Sequence, residues 1–129
     1  MLKIVRIVRV TLKNNSPPSI ESVTFKKDPN KLHQLVIWEL RGKGAQNGWF
    51  SDLTWGKPEP GSPLPDKVFG CFIPVDRSRW AVMANKHTGK ETEGTWPYQL
   101  TLSLKTGRRR YKLTVPSVTG SNNPNIKNN

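Results

Sequence analysis

The sequence predicts an all-β protein: a single antiparallel β-sandwich of about seven to eight strands, Ig-like in architecture. Three observations lead to this prediction: apolar and polar residues alternate in short segments, turn residues separate these segments at regular spacing, and no apolar stripe has a helical period. The 129 residues suffice for one domain, which buries roughly two thirds of its unfolded surface. We expect the sandwich to span residues 1–116 and a C-terminal tail, 117–129, to pack on it.

The first half of the chain predicts three strands. The first strand carries apolar residues on one parity, as a half-buried strand requires, with Arg6 as the exception: Leu2, Ile4, Val8, Val10 and Leu12. A second strand is expected at 20–26, after a run of turn residues at 14–18. The third, 32–40, contains a run, 35–38, that is apolar on both faces, which is typical of a central strand.

The middle of the chain predicts three more strands, at 49–55, 68–75 and 80–85. The second of these is apolar throughout, so we expect Cys71 within it to be an inert buried thiol. Between the first two, residues 56–66 carry four prolines, which lack the N–H that a sheet ladder needs. This segment is expected to form an extended loop.

The clearest hairpin comes last. Apolar and polar residues alternate over 98–104 and again over 111–115, and Thr106-Gly107 supplies the turn. A dense basic patch surrounds this turn, consisting of Lys105, Arg108, Arg109, Arg110 and Lys112.

Composition limits the classes of function. The 21 Lys and Arg against 9 Asp and Glu give a net charge of +12, which indicates anionic partners or solubility. A single cysteine excludes an internal disulfide, and two histidines without ligand spacing, His33 and His87, argue against a zinc site. We expect no cofactor, and we interpret both histidines as structural.

Targeting and catalytic motifs are equally sparse. Charged residues interrupt the first strand, so it lacks the apolar core of a secretion signal, and 68–75 is too short to span a bilayer. The default expectation is a soluble cytoplasmic protein, with export that uses no cleaved signal left open. No P-loop or nucleophile elbow occurs, so any enzymatic activity is at most a single-turnover reaction of the chain on itself.

The C terminus carries a family resemblance. Residues 122–129 read Asn-Asn-Pro-Asn-Ile-Lys-Asn-Asn, and 96–102 and 111–113 precede them as a hairpin. With the patterns at 23–25 and 36–40, this resembles the DP-EP family of small bacterial β-sandwich proteins, whose terminal strand runs into Asp-Pro-x-(Ile/Val)-x-Asn. The resemblance covers nearly the whole chain.

That resemblance implies self-processing: cleavage at the terminal Asp-Pro bond and linkage of the Asp carboxyl to a lysine amine. Here Asn123 precedes Pro124, and an amide is a poorer nucleophile than a carboxylate. Three outcomes are open: slow succinimide formation at Asn123 with release of Pro124, condensation with a lysine and loss of ammonia, or no reaction. The one true Asp-Pro, Asp28-Pro29, is interpreted as an ordinary turn.

The resemblance places the acceptor lysine in the penultimate strand, which makes Lys105 the candidate and Lys112 the alternative. An acid that assists proton transfer needs apolar neighbours that raise its pKa. Glu39, between Trp38 and Leu40, fits this best, unless it points at solvent or at Arg41; Asp76 and Asp52 are the other candidates.

The alternative hypothesis is a basic binding module for nucleic acid or another anionic partner. The hairpin patch would contact phosphates in a weak, salt-sensitive manner, and exposed tryptophans would stack on bases. We expect Trp38 and Trp80 to lie in the core, which leaves Trp49, Trp55 and Trp96 as stacking candidates. The proline loop 56–66 is a second candidate surface, for a protein or glycan, and exchange of the C-terminal tail between copies is a route to self-assembly.

Overall fold

The computed structural model describes residues 5–12, 18–27, 34–45, 47–76, 78–116 and 124–129. The first five strands are β1 (Val5–Thr11), β2 (Ser19–Ile20), β3 (Val23–Phe25), β4 (Gln34–Arg41) and β5 (Trp49–Trp55). The remaining five are β6 (Ile73–Pro74), β7 (Trp80–Asn85), β8 (Gly94–Thr106), β9 (Arg109–Val115) and β10 (Asn125–Asn128). Three single 3-10 turns interrupt the connections, at Lys43–Ala45, Pro65–Lys67 and Lys90–Thr92.

The strands form two sheets, which confirms the predicted all-β sandwich. The first sheet has the order β2-β1-β4-β7-β6, and the second has the order β3-β10-β8-β5 with β9 also paired to β8. The sheets are mixed rather than wholly antiparallel, because β1 runs parallel to β4 and β3 runs parallel to β10. Adjacent parallel strands need a crossover connection. Between β1 and β4 the chain enters the second sheet as β3, and between β3 and β10 it enters the first sheet as β4, β6 and β7.

The core lies between the two sheets. Trp38 of β4 and Tyr98 of β8 are both fully buried, and the Trp38 indole N–H donates to the Tyr98 hydroxyl across the interface at 3.1 Å. The predicted parity of β1 holds where the structure describes it, since Val8 and Val10 are buried. As predicted from its two apolar faces, β4 is central in its sheet.

The predicted buried strand at 68–75 is wrong. The segment forms one bridge, between Phe69 and Asn85, and then only the two-residue strand β6. Gly70 and Pro74 explain this, because glycine weakens a strand and proline lacks the ladder N–H. Cys71 is exposed rather than buried.

Two further elements differ from their predictions. The strand expected at 20–26 is divided between the sheets, with β2 pairing to β1 and β3 pairing to β10. The predicted tail is also more than a segment packed on the sandwich, because β10 lies inside the second sheet between β3 and β8. Of that tail, residues 117–123 lie outside the described residues.

Candidate functional site

The basic hairpin forms as predicted, from β8 and β9. Gly107 has a φ of 61° at the first position of the two-residue loop, a conformation that glycine adopts without strain. The register places Lys105 directly opposite Arg110 and Ser103 opposite Lys112. Two like charges facing each other across a strand pair destabilise it, so an anionic partner would relieve a repulsion already present in the hairpin.

Arg110 holds a defined position on this hairpin. Its guanidinium carbon lies 3.7 Å from the ring centroid of Trp49, and both terminal nitrogens donate to the Asn47 carbonyl at 3.1 Å. One of them also donates to the Ser103 hydroxyl at 3.1 Å. These contacts attach the hairpin to Trp49 of β5 and to Asn47, which precedes β5, so Arg110 fixes the position of the strand that also carries Lys112.

Acidic residues are absent from the sequence around the hairpin. Residues 94–129 contain six Lys and Arg and no Asp or Glu, so this segment carries half of the net charge of +12. Within the described part of the chain, the ion pairs are Lys27 with Glu93 and Arg41 with Glu39. The hairpin cations therefore have no carboxylate partner among the described residues.

The five tryptophans are less available for stacking than predicted. Trp38 is fully buried, as predicted, and Trp96 is also fully buried, so neither can stack on a base. Arg110 covers one face of Trp49, and Phe69 stacks on Trp55 at 4.9 Å. Trp80 is 39% exposed, so its predicted place in the core is wrong. No tryptophan with two open faces adjoins the hairpin in the part of the chain that the structure describes.

The C-terminal strand begins directly after the candidate self-processing bond. Asn123 lies outside the described residues, whereas Pro124 is buried and its carbonyl accepts a hydrogen bond from the Tyr98 N–H at 3.1 Å. Val115 pairs with Leu100, and Asn125 pairs with Pro97. The last residue of β9 and the first residue of β10 therefore pair with β8 positions that are three residues apart.

A buried polar cluster, which the sequence reasoning missed, holds this strand. Asn128 and Asn85 exchange side-chain amide hydrogen bonds at 2.8 and 3.1 Å, and the Asn128 amide also donates to the Thr92 carbonyl at 3.0 Å. His87, which is fully buried, lies 2.8 Å from the Thr92 hydroxyl and 2.6 Å from the Asn129 main-chain oxygen. The available signal was parity, because Asn128 shares the buried face of β10 with Ile126.

The structure does not bring the candidate lysines to Pro124. Lys105 is seven residues beyond Tyr98 along β8, a distance of about 23 Å in an extended strand. Lys112 pairs with Ser103, five residues beyond Tyr98, which places it about 17 Å away. Both lysines are exposed on the hairpin. They lie with the basic patch rather than with the C-terminal strand.

None of the three candidate acids is buried among apolar side chains. Glu39 lies on the face of β4 opposite to the core residues Trp38 and Leu40, and it accepts a hydrogen bond from Arg41, the alternative orientation considered above. Asp76 is exposed in the turn after β6, and Asp52 is exposed on β5. None of these residues therefore has the apolar surroundings that would raise the pKa of an assisting acid.

Other candidate chemistry is sparse in the described ranges. His33 and Asp28-Pro29 lie outside the described residues. Among the described residues, no group of three or more His, Cys, Asp or Glu side chains is placed to hold a metal ion. That part of the chain also contains no helix of the length and apolarity needed to cross a bilayer.

Comparison with known proteins does not indicate a function, so the function is inferred from the arrangement of residues in the structure. No family model, no curated protein and no solved structure matches this chain. The basic hairpin brings several cations together without a carboxylate partner among the described residues. It is therefore the candidate functional site on which the following proposal rests.

Proposed function

We propose that the chain is a binding module that contacts the phosphate backbone of nucleic acid through the β8–β9 hairpin. The observation that carries the proposal is the face on which Lys105, Arg110 and Lys112 lie together without a carboxylate partner among the described residues. Cross-strand partners lie about 5 Å apart and alternate residues of a strand about 7 Å apart. A repeating anion neutralises such a row better than a single small anion does.

The contacts are electrostatic rather than base-specific. Lysine and arginine at phosphates release condensed counterions, so binding of this kind weakens steeply as salt rises. Reading of bases in single strands needs open aromatic faces, and the tryptophan nearest to the hairpin, Trp49, has one face covered by Arg110. We therefore propose binding that is independent of nucleic-acid sequence.

A matched pair of charge variants tests the proposal. The hairpin variant carries K105Q, R108Q and K112Q; the control carries three Lys→Gln changes at other exposed positions, Lys57, Lys67 and Lys90. Both variants have a net charge of +9, that is +12 minus three. Fluorescence anisotropy with a labelled DNA duplex at low salt measures both.

We expect the hairpin variant to bind at least about tenfold more weakly than the control variant, since each lost phosphate contact removes a counterion-release contribution. Equal weakening of both variants would show that net charge alone drives the interaction, and it would overturn the assignment of the site to the hairpin. Arg110 is left unchanged because it also packs on Trp49.

We propose self-processing at Asn123-Pro124 as a second candidate function. The observation that favours it is the fixed position of the product side of this bond, where Tyr98 binds the Pro124 carbonyl and Ser22 accepts from the Asn125 N–H at 3.2 Å. In the reaction, the Asn123 amide nitrogen attacks its own main-chain carbonyl carbon, the bond to Pro124 breaks, and the proline nitrogen takes up a proton.

Intact mass under denaturing conditions tests this second proposal. Two fragments after incubation support cleavage, and we expect them to co-elute on native size exclusion because β10 is hydrogen-bonded to both β3 and β8. An unchanged mass for the natural chain, together with an unchanged mass for the N123D variant, would overturn it.

A further inference from the structure

A cavity of about 840 Å³ lies beneath the proline loop, away from the basic hairpin. It opens between β5 and the segment that leads into β6. Its apolar lining includes Trp55, Leu64, Phe69, Phe72 and Met83. Volumes of this size with aromatic walls are typical of sites for small molecules.

The aromatic walls are held in place by the core. Trp55 stacks on Phe69 with a centroid distance of 4.9 Å, and Phe69 meets the buried Trp96 edge-on at 5.0 Å. Phe72 meets the buried Trp38 edge-on at 5.2 Å. Because Trp55, Phe69 and Phe72 each pack on another aromatic ring, these walls are in place before a ligand binds, which reduces the entropy cost of binding.

The polar lining has a net charge opposite to that of the chain. Two carboxylates, Asp52 and Asp66, and one ammonium, Lys86, line the cavity, and all three residues are exposed. The ion pairs within the described ranges involve neither aspartate. In a chain of net charge +12, the cavity is thus a local site of excess negative charge beside aromatic rings.

We propose that this cavity binds a small amphipathic amine, an aromatic or aliphatic body that carries a single ammonium group. The body would occupy the apolar space against Trp55 and Phe69, and the ammonium would lie between the aspartates. Aromatic faces and carboxylates both attract ammonium groups, whereas Lys86 repels one. The ligand therefore orients with its charge toward Asp52 and Asp66.

Three probes of similar shape and different charge test the proposal: 2-phenylethylammonium, 2-phenylethanol and phenylacetate. Cys71 lines the cavity, is exposed and is the single cysteine of the chain, so its alkylation rate with iodoacetamide reports occupancy. We expect the ammonium probe to slow alkylation at concentrations about threefold or more below those needed for the alcohol, and phenylacetate to be the weakest.

Variants that are expected to keep the fold locate the site. D52N and D66N should each remove most of the preference for the ammonium probe over the alcohol. L64A should weaken the binding of all three probes, because Leu64 lines the cavity, and it should leave the fold intact, because Leu64 is 60% exposed. Matched controls, D76N and V75A, change an exposed aspartate and an exposed apolar residue that are not part of the lining.

The outcomes separate cleanly. Protection of Cys71 by the ammonium probe that is lost in D52N or D66N, and retained in D76N, supports the proposal. Equal protection by the alcohol, stronger protection by phenylacetate, or no protection by any probe overturns it. The hairpin variant K105Q/R108Q/K112Q should leave protection unchanged, so this test stands apart from the proposed nucleic-acid binding.

Discussion

Replacement of Asn128 by alanine should strongly destabilise the fold, because Asn128 connects β10 to the opposite sheet. Its side chain makes two amide hydrogen bonds with Asn85 and a third with the Thr92 carbonyl. Asn128 is 3% exposed and Asn85 is fully buried, so the groups left behind have little access to water. Each buried polar group that loses its partner costs about 1–3 kcal/mol.

Three groups lose a partner in this variant, and water that enters the vacated space will satisfy some of them. We therefore expect the free energy of unfolding to fall by about 2–4 kcal/mol. Urea unfolding followed by tryptophan fluorescence measures the change. Lys127→Ala, on the exposed face of the same strand, serves as the control and should shift stability by no more than about 0.5 kcal/mol.

A double-mutant cycle sharpens this test. If Asn85 and Asn128 act as a pair, N85A added to N128A should cost far less than N85A alone, with a coupling of about 1–2 kcal/mol. A loss below about 1 kcal/mol for N128A, or fully additive effects in the cycle, would refute the reasoning that this amide pair fixes the C-terminal strand.

Two further predictions concern Tyr98 and Lys105. Burial raises the pKa of the Tyr98 phenol well above its ordinary value, an effect larger than the opposing hydrogen bond from Trp38. The folded state thus holds a proton that the unfolded state releases, so stability is fully present below about pH 10 and falls as pH rises above it. Y98F should lose less stability than the natural chain between pH 8 and pH 11 in urea titrations; equal losses would contradict this. Peptide mapping of incubated protein should show Lys105 unlinked, because it lies about 23 Å along β8 from Tyr98, which binds Pro124. A cross-linked peptide that joins Lys105 to Asn123 would contradict the described geometry.

Much of the fold was predictable from alternation and from turns. The residues of 98–104 alternate so regularly that the face bearing Tyr98, Leu100 and Leu102 is the buried one. The two apolar faces of 35–38 correctly indicated a central strand. Local periodicity reports which face of a strand is buried, and for these segments burial followed the local pattern.

Other features depend on contacts between distant segments, which local patterns do not encode. The apolar run at 68–75 resembles a strand, yet its one proline and one glycine leave it with little pairing, and Cys71 and Ile73 are exposed. The parallel pairs β1–β4 and β3–β10 depend on how the chain crosses between sheets. No local signal in the sequence indicates that Asn128 meets Asn85.

The candidate sites also differ in whether a local sequence pattern or a contact between distant segments forms them. The basic patch around Gly107 is local in sequence, so its position at a hairpin tip followed from the turn alone. A pairing of Lys105 with Asn123 needs the path of the chain after Val115, which the spacing of residues does not provide. The aromatic cavity brings together β5, the proline loop and the segment before β6, so it becomes visible only in three dimensions.

The salt dependence of DNA binding tests the central claim most directly. The proposed contact surface consists of four exposed cations: Arg108 in the hairpin loop, and Lys105, Arg110 and Lys112 on one face of the strand pair. At a slope of about −0.9 per phosphate, the logarithm of the binding constant should fall with the logarithm of salt concentration at a slope near −4. In K105Q/R108Q/K112Q the slope should shrink to about −1, while the Lys57, Lys67 and Lys90 control keeps a slope near −4. A slope that is the same in the hairpin variant and the natural chain would contradict the account.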